Sequence, residues 1–171
     1  MDTAQGKPSA ESAVRTLVSY LGEGRAAEAQ IPSTQRAFVT VPLDSLRDAM
    51  AFLVRDQGFG HLSTITAVDV NEHMEVLYHL SDRTVSLSLR VLVPKDHLVL
   101  PSAVDLVPGA VLYEREVHEL FGIVFEGHPG LQPLLLPDGW PEGLYPMRKK
   151  LSLEQIRGVL ADAREAYKAR R

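Results

Sequence analysis

The apolar and polar residues of this chain alternate most regularly between Thr84 and Val93. Valine and leucine occupy every second position there, while two serines and an arginine lie among the positions between them. A period of two with one polar face is typical of an antiparallel strand that exposes one side to solvent. Two preceding segments, 62–70 and 73–80, are also predicted strands, and short turns separate the three. The pattern therefore predicts three consecutive strands joined as hairpins.

Helical periodicity precedes these strands. Residues 1–8 are expected to be disordered. Apolar residues spaced three and four apart then predict a first helix that begins after Ser9 and ends at Gly22. A second helix is expected from Leu43 to about Gln57, with a strand at 36–41 before it. We interpret the polar segment 23–33 as a loop.

The C-terminal third has a different character. A helix is expected at about 110–120 and should end at Gly122, and Ile123 to Phe125 fit a brief strand. Residues 127–150, here called the arm, contain five prolines and four glycines, so no long helix or strand fits them. Ser152 and Gln155 then predict a capping box at the start of a last amphipathic helix.

The order of these elements predicts the fold class. Helix, strand, helix and three strands indicate a two-layer α+β fold, with helices packed on one face of a mixed, mainly antiparallel sheet. We expect residues 1–125 to form the sheet domain. Residues 126–171 would add an extended docking arm and a C-terminal helix to the same single domain.

Composition is ordinary for a soluble globular protein, with 45% apolar and 23% charged residues. The net charge of -4 gives no reason to expect nucleic acid as a partner. The chain has no cysteine, which excludes disulfides, thiolate catalysis and cysteine-ligated iron–sulfur clusters carried by this chain alone. No apolar run approaches the ~20 residues that span a bilayer, so any membrane association is expected to go through partners.

Four ionisable residues stand close together in the third predicted helix: Glu114, Arg115, Glu116 and Glu119. Arg115 and Glu119 are four apart, as are Glu114 and His118, which predicts surface pairs that stabilise a helix by about 0.2–0.5 kcal/mol each. Two alternatives stay open. Paired carboxylates can perform acid/base catalysis when burial separates their pKa values, and a buried ion pair can fix local geometry.

Motifs for metal, nucleophile or nucleotide chemistry do not occur. None of the six histidines belongs to an HExxH sequence, and there is no GxSxG, GxGxxG or Walker sequence. His118, Glu119 and His128 could converge, but a histidine in a turn before proline more often bonds a backbone carbonyl. We therefore predict no catalytic residue, no cofactor-binding residue and no metal ligand in this chain.

The arm carries many apolar residues on a backbone without periodicity: Leu131, Leu134, Leu135, Leu136, Trp140, Leu144, Tyr145 and Met147. Such residues need cover. Either the arm wraps its own sheet, or it lies against a partner, because large exposed apolar patches usually mark an interface. The residues alone leave both possibilities open.

The stretch from Glu114 to Lys150 also follows a known ordered pattern. Its matching residues are Glu114, Arg115, Glu116, Glu119, Phe121, Gly122, His128, Pro129, Trp140, Pro146, Arg148 and Lys149. This pattern resembles the signature of the 30 kDa (C-type) subunit family of respiratory complex I, which is shared with energy-converting membrane-bound hydrogenases. Gln132 and Lys150 depart from it, which leaves the kind of complex open.

The resemblance implies a subunit of an NADH:quinone oxidoreductase that has no redox centre and lies peripherally on the cytoplasmic side of the membrane. It would contact the large hydrogenase-like subunit and the small iron–sulfur subunit, and through them the membrane part. NAD(H), FMN, iron–sulfur clusters and quinone would be bound elsewhere in the complex. The signature residues would be structural or interfacial.

Two rival hypotheses differ in function. The first assigns the same fold to a membrane-bound energy-converting hydrogenase. The second is a free-standing acid/base enzyme, which requires Glu116, Glu119 and His128 to face one cleft.

Overall fold

The computed structural model describes residues 9–22, 25 and 28–169 and, among these, leaves out the side chains of Ala163 and 166–169. The elements are α1 (Ala10–Leu21), β1 (Glu28–Ser33), β2 (Arg36–Thr40), α2 (Leu46–Arg55), β3 (His61–Asp69), β4 (His73–Ser81), β5 (Ser86–Pro94), β6 (Val99–Pro101), α3 (Ala110–Phe121), β7 (Val124–Glu126) and α4 (Leu153–Ala169). The prediction made for residues 1–8 lies outside the described residues.

Five strands form one sheet in the order β1-β2-β5-β4-β3. All neighbouring pairs are antiparallel except β2 and β5, which run parallel. A second, two-stranded sheet pairs β6 with β7 in parallel. The mixed, mainly antiparallel sheet predicted from the alternating pattern is therefore confirmed.

The core lies between this sheet and the helices. The predicted apolar positions of β5 and the residue before it are at most 1% exposed; they are Val85, Leu87, Leu89, Val91 and Val93. Helix α1 packs against β2 and β5, α2 packs against β5, and α3 packs along β3. The alternation thus identifies the core face, because a strand's side chains point to opposite faces in turn.

Four predicted helix termini agree with the structure. The Ser9 side chain accepts the N–H of Ser12, and Gly22 follows α1 with φ 82°. Gly122 ends α3 in the left-handed region, with φ 73°. Ser152 and Gln155 bond reciprocally, from Ser152 N to Gln155 Oε1 at 2.8 Å and from Gln155 N to Ser152 Oγ at 3.2 Å.

Three element predictions need correction. Residues 28–33, predicted as part of a loop, form β1; all six are exposed, so no apolar pattern indicated the strand. Strand β6 was missed because a proline ends it and only its pairing with β7 defines it. The second helix begins with a 3-10 turn, Leu43–Ser45, and ends at Arg55 rather than Gln57.

Candidate interface between helix α3 and the arm

Helix α3 carries the charged cluster, and its two outer glutamates are buried rather than solvated. Glu114 is fully enclosed, and Glu119 is nearly so. The helix also contributes Val117 and Phe121 to the core. Buried carboxylates need hydrogen-bond donors, so the partners of each glutamate define what this helix does.

Glu114 joins α3 to the segment that follows β6. Ser102 Oγ donates to its Oε2 at 2.7 Å, and the Ala103 N–H donates to its Oε1 at 2.6 Å. Burial raises the pKa of Glu114, although these two hydrogen bonds oppose the rise. The Glu114 carboxylate therefore has a structural role, connecting α3 to the segment after β6.

Glu119 holds the arm instead. Its two carboxylate oxygens accept the backbone N–H groups of Leu135 and Leu136 at 2.8 and 3.0 Å. Arg115 supplies the complementary donors, since its guanidinium donates to the carbonyls of Gln132 and Pro133 at 2.9 and 2.6 Å. Side chains of α3 thus supply hydrogen-bond donors and acceptors to backbone groups of the arm, which is not part of a helix or a β-sheet at these residues.

The predicted ion pairs along α3 are therefore wrong. Arg115 and Glu119 both bond the arm backbone, and His118 Nδ1 lies 2.8 Å from the Ile123 carbonyl oxygen instead of pairing with Glu114. The buried ion-pair alternative, which rested on Arg115 among apolar neighbours, is also wrong, because Arg115 donates to two neutral backbone carbonyls. Backbone groups on other segments compete successfully for these charges, and helical spacing does not reveal them.

The end of the arm returns to the helix C-terminus. Met147 N–H donates to the Leu120 carbonyl at 3.2 Å, and Arg148 Nε donates to the Phe121 carbonyl at 2.7 Å. These carbonyls belong to the last turn of α3, where no intrahelical donor remains. The Arg148 guanidinium also lies over the Tyr145 ring, 4.4 Å from its centroid. The signature arginine is consequently a cap for the helix that carries the rest of the signature.

Gly122 is required at this point for two reasons. Its positive φ disfavours residues with a side chain. A Cβ at this position would also overlap the Tyr145 ring and the Arg148 guanidinium. The close approach of the arm therefore depends on a missing side chain.

Lys149 attaches the arm to the sheet. Its N–H donates to Asp69 Oδ2 at 2.9 Å, and Lys95 forms an ion pair with the other oxygen of that buried carboxylate. Burial raises the pKa of Asp69, but Lys95 and the Lys149 N–H lower it by more, so the net shift is downward. Sequence reasoning missed Asp69 and Lys95, because neither belongs to a motif.

His128 and Trp140 shape the arm itself. His128 Nε2 lies 3.0 Å from the Val111 carbonyl oxygen, and the Gly130 N–H donates to Nδ1 at 2.9 Å. The Trp140 indole N–H donates to the Leu144 carbonyl at 2.7 Å. His128 thus bonds a backbone carbonyl, as expected for a histidine in such a turn.

The two signature prolines stand at the ends of the arm. Pro129 follows His128 in its turn, and Pro146 directly precedes Met147, whose N–H bonds the C-terminus of α3. Each proline therefore lies next to a residue that attaches the arm to α3. The fixed φ of proline restricts the backbone at both points.

The three residues required by the acid/base hypothesis do not share a cleft. Glu116 lines a cavity of 210 Å³ against β3. Glu119 lines a different cavity of 340 Å³ between α3 and the arm. His128 lines neither and lies against Val111. The geometry therefore gives no support to a joint catalytic role.

The arm wraps its own helix and still leaves an apolar surface. Leu135 is 58% exposed and Met147 is 56% exposed, while Trp140 and Tyr145 are half-buried along the 340 Å³ cavity. The arm thus contacts its own chain, and the alternative of contact with a partner stays a prediction. Many backbone polar groups of the arm are bonded within the chain, whereas several of its apolar side chains lack cover.

Two kinds of feature are absent from the part of the chain that the structure describes. Across 9–22, 25 and 28–169, no three histidine, aspartate or glutamate side chains lie close enough together to hold a metal ion. Over the same ranges, no helix has the length and apolar character needed to cross a membrane.

The chain is therefore a two-layer α+β domain whose C-terminal arm is hydrogen bonded to helix α3. The model of the family described as "Respiratory-chain NADH dehydrogenase, 30 Kd subunit" matches residues 39–157. The chain belongs to this family. The resemblance inferred from the signature is therefore confirmed.

Three known proteins illustrate the relationship. The C-type subunit of the F(420)H(2) dehydrogenase of Methanosarcina mazei is 36% identical over 126 residues, which cover 71% of this chain and 79% of the relative. The C-type subunit of the NADH-quinone oxidoreductase of Moorella thermoacetica is 38% identical over 120 residues, covering 68% and 80%. A solved trypsin-resistant fragment (1-134) of Nqo5 superposes with a TM-score of 0.60 and 30% identity, covering 68% of this chain and 97% of the fragment.

Proposed function

We propose that this chain is a non-redox assembly subunit of an NADH:quinone oxidoreductase and docks through the exposed side of the arm. The observation that carries the proposal is the contrast between bound backbone and exposed side chains. Arg115 and Glu119 hold the arm backbone, while Leu135 and Met147 remain exposed. A backbone fixed in this way, with apolar side chains turned outward, suits a preorganised interface.

The partners are proposed from the family. We infer that the arm lies on the large hydrogenase-like subunit, close to the small iron–sulfur subunit. Interfaces favour aromatic residues, methionine and arginine, and Trp140, Tyr145, Met147 and Arg148 cluster in the arm. In the complex, the chain would lie peripherally on the cytoplasmic side of the membrane.

The chemistry of the complex is assigned to other subunits. We propose that this chain binds none of NAD(H), FMN, the iron–sulfur clusters or quinone, and contributes no catalytic residue. Two observations support this. The chain has no cysteine to ligate a cluster, and its buried signature carboxylates are occupied by donors from its own backbone and Ser102.

The domain boundary is part of the proposal. Residues 1–125 would form the sheet domain, and 126–171 would form the docking arm and C-terminal helix. The lack of a helix or strand between β7, which ends at Glu126, and α4, which begins at Leu153, supports this division. Bonds from Ser102 to Glu126 and from Arg148 to Phe121 join the two parts, so they remain one folding unit.

Single charge insertions test the docking surface without removing the arm. Leu135→Glu and Met147→Glu change exposed side chains, so each isolated protein should fold as before, with changes within about 0.5 kcal/mol. Burying an unpaired carboxylate in the complex is expected to weaken association by about tenfold or more. The measurement is recovery of the other subunits when the tagged chain is purified from membranes.

Leu112→Glu is the matched control, because Leu112 is 51% exposed but lies on helix α3, outside the arm. It should co-purify like the unchanged protein. Normal recovery with both arm variants would contradict the proposal.

A deletion variant that lacks residues 127–150 should keep the sheet signals of β3 to β5 in NMR spectra and lose its partners.

The relatives of this chain belong to complexes with different electron donors. The Methanosarcina relative belongs to an F(420)H(2) dehydrogenase rather than an NADH-linked complex. An equivalent subunit of a membrane-bound hydrogenase is the rival hypothesis, and the family match favours the NADH-linked one. Mass spectrometry of the purified complex discriminates: an NADH-binding flavoprotein supports our proposal, and a nickel-containing large subunit supports the rival.

A further inference from the structure

A second concave surface lies at one end of the five-stranded sheet. It has a volume of 610 Å³, and none of its lining residues belongs to α3 or the arm. Strands β2 and β5 run parallel and begin side by side there, with Arg36 opposite Ser86. Because of this pairing, the β1–β2 turn and the β4–β5 turn flank one groove, here called the sheet-end groove.

The sheet-end groove is basic and rich in hydroxyl groups. Arg36 and Arg83 are exposed and line it, and Ser33, Ser81 and Ser86 line it as well. Within the described residues, neither guanidinium has a carboxylate at salt-bridge distance, in contrast to an arginine of α2 that pairs with an aspartate. Two guanidiniums and several hydroxyls offer donors to an anion.

The nearest carboxylate in the sequence is already engaged. Asp82 Oδ1 accepts the N–H groups of Thr84 and Val85 at 2.8 and 2.7 Å. These bonds shape the turn between β4 and β5. Asp82 is therefore a turn-forming residue, and it forms no ion pair with its neighbour Arg83.

Arg83 adopts a backbone conformation that does not suit it. Its φ of 81° is the single positive value among non-glycine residues in the described part of the chain. Such a conformation is unfavourable for a residue that has a side chain, and glycine would relieve it. A strained arginine at the rim of a basic groove is consistent with a side chain retained for binding.

Arg36 exerts an uncompensated charge on its surroundings. Burial lowers the pKa of His79, and the positive charge of Arg36 lowers it further. The His79 ring is hydrogen bonded through Nδ1 to Ser88 Oγ at 2.7 Å and through Nε2 to Thr66 Oγ1 at 3.2 Å. His79 is thus hydrogen bonded to two hydroxyl groups, and the positive charge of the groove comes from its two arginines.

We propose that the sheet-end groove binds an acidic peptide segment of a neighbouring subunit. Its carboxylates would pair with Arg36 and Arg83, and an adjacent apolar side chain would rest on Phe38 and Pro32, which also line the groove. A peptide fits better than an anionic lipid, since lipid-binding surfaces usually collect about four to eight basic residues. This interaction rests on the proposed assembly role and is additional to docking through the arm.

Titration of the full-length, isotope-labelled chain tests the groove directly. The probe is the peptide acetyl-Glu-Glu-Tyr-Glu-Glu-amide, and the control probe replaces each glutamate with glutamine. We expect saturable NMR shifts confined to the residues around 33–38 and 81–86, weakened at high salt because exposed charge pairs are screened. The uncharged probe should produce no saturable shift.

Variants separate binding from folding. Arg36→Gln and Arg83→Gln should each weaken the acidic probe about tenfold, whereas Arg15→Gln, an exposed control on α1, should not change it. Arg83→Gly is the sharpest variant. It should raise the thermal midpoint, since glycine tolerates the positive φ, and should still weaken binding like Arg83→Gln.

The proposal is overturned if the acidic probe gives no localised shifts, or if the arginine variants bind it as well as the unchanged chain. Vesicles of phosphatidylcholine and phosphatidylglycerol are tested in parallel, and shifts with vesicles but not with the peptide would also refute it. In the assembled complex, a photo-crosslinker at Gln35 should capture a glutamate- or aspartate-rich segment. Capture of lipid, or of no subunit, would count against the groove while leaving docking through the arm intact.

Discussion

The sheet domain and the arm differ in how their backbone polar groups find hydrogen-bond partners and in how far their apolar side chains are buried. In the sheet domain, Leu87 and Leu89 are fully enclosed, and the backbone groups of β5 are bonded to β2 and β4. In the arm, Leu135 is mostly exposed, and the backbone relies on side chains of α3. Backbone polar groups need partners wherever they lie, so a segment without helix or strand must take them from elsewhere.

This contrast has an energetic consequence. A core leucine is held by the enclosure of its whole side chain, whereas the arm is held by a few hydrogen bonds to charged groups, each worth about 1.5–3 kcal/mol. We therefore expect the arm to open at a lower free energy than the sheet. The predictions below test that difference, from the largest expected effect to the smallest.

Leu89→Ala should have the largest effect on the isolated chain. Leu89 is fully buried, and truncation of such a leucine costs about 2–5 kcal/mol of unfolding free energy. Leu135→Ala removes the same atoms from the arm and should cost less than about 0.5 kcal/mol, because that side chain is exposed. Urea unfolding measures both, and equal losses would refute the contrast.

Gly122→Ala should come next. The new methyl group would meet the Tyr145 ring, and the positive φ adds a backbone penalty. We expect a loss of about 1–3 kcal/mol, with release of the arm from α3. Gly58→Ala is the control, because Gly58 has φ 76° and nothing near its position for a methyl group. Thermal unfolding gives the difference, and no difference would exclude the close approach of the arm.

Glu119→Ala should loosen the arm while leaving the sheet intact. The N–H groups of Leu135 and Leu136 would lose their acceptors, worth about 1–3 kcal/mol in local opening. Amide hydrogen exchange at these two residues should accelerate, and exchange in β4 and β5 should not. Glu116→Ala is the matched control on the same helix. Unchanged exchange at Leu135 and Leu136 would rule out this role for Glu119.

The smallest effect is a difference in pH dependence. The pKa of Asp69 is lowered on folding, so its contribution is present above the ordinary aspartate range and is lost as pH falls through and below it. The pKa of Glu114 is raised, so folding binds a proton there and stability increases as pH falls through the window above the ordinary glutamate value.

Asp69→Asn should therefore remove an acid-induced weakening of the arm's last attachment, read from exchange of the Lys149 amide. Glu114→Gln should remove the gain in unfolding free energy that the unchanged chain shows as pH falls. Global unfolding measured between about pH 4 and 6 gives this difference. If both variants changed the pH profile with the same sign, the assignment of the two carboxylates to opposite environments would be wrong.

Much of the sheet domain was predictable because its signals are local. The alternation in β5, the Ser9 cap, the glycine after α3 and the Ser152–Gln155 capping box each depend on residues a few positions apart. Strands β1 and β6 were missed because one is wholly exposed and the other consists of three residues. Their pairing depends on partner strands that local patterns do not identify.

The contacts between α3 and the arm could not be predicted from the signature. The signature spans both segments, and in the structure Arg115, Glu119 and Arg148 are bound to backbone groups. The predicted pairs between Arg115 and Glu119 and between Glu114 and His118 failed. Nothing in their spacing indicates that backbone groups remote in the sequence compete for these charges.

The amino-acid sequence by itself determined the family, the sheet's core face, the helix ends and the irregular arm, because periodicity, capping and proline content act over short distances. Tertiary structure alone decided which charges are buried, what they bind and which arm side chains stay exposed. The physical reason is that a buried charge is satisfied by whatever donor or acceptor the fold brings to it, and that partner is chosen by the packing of remote segments.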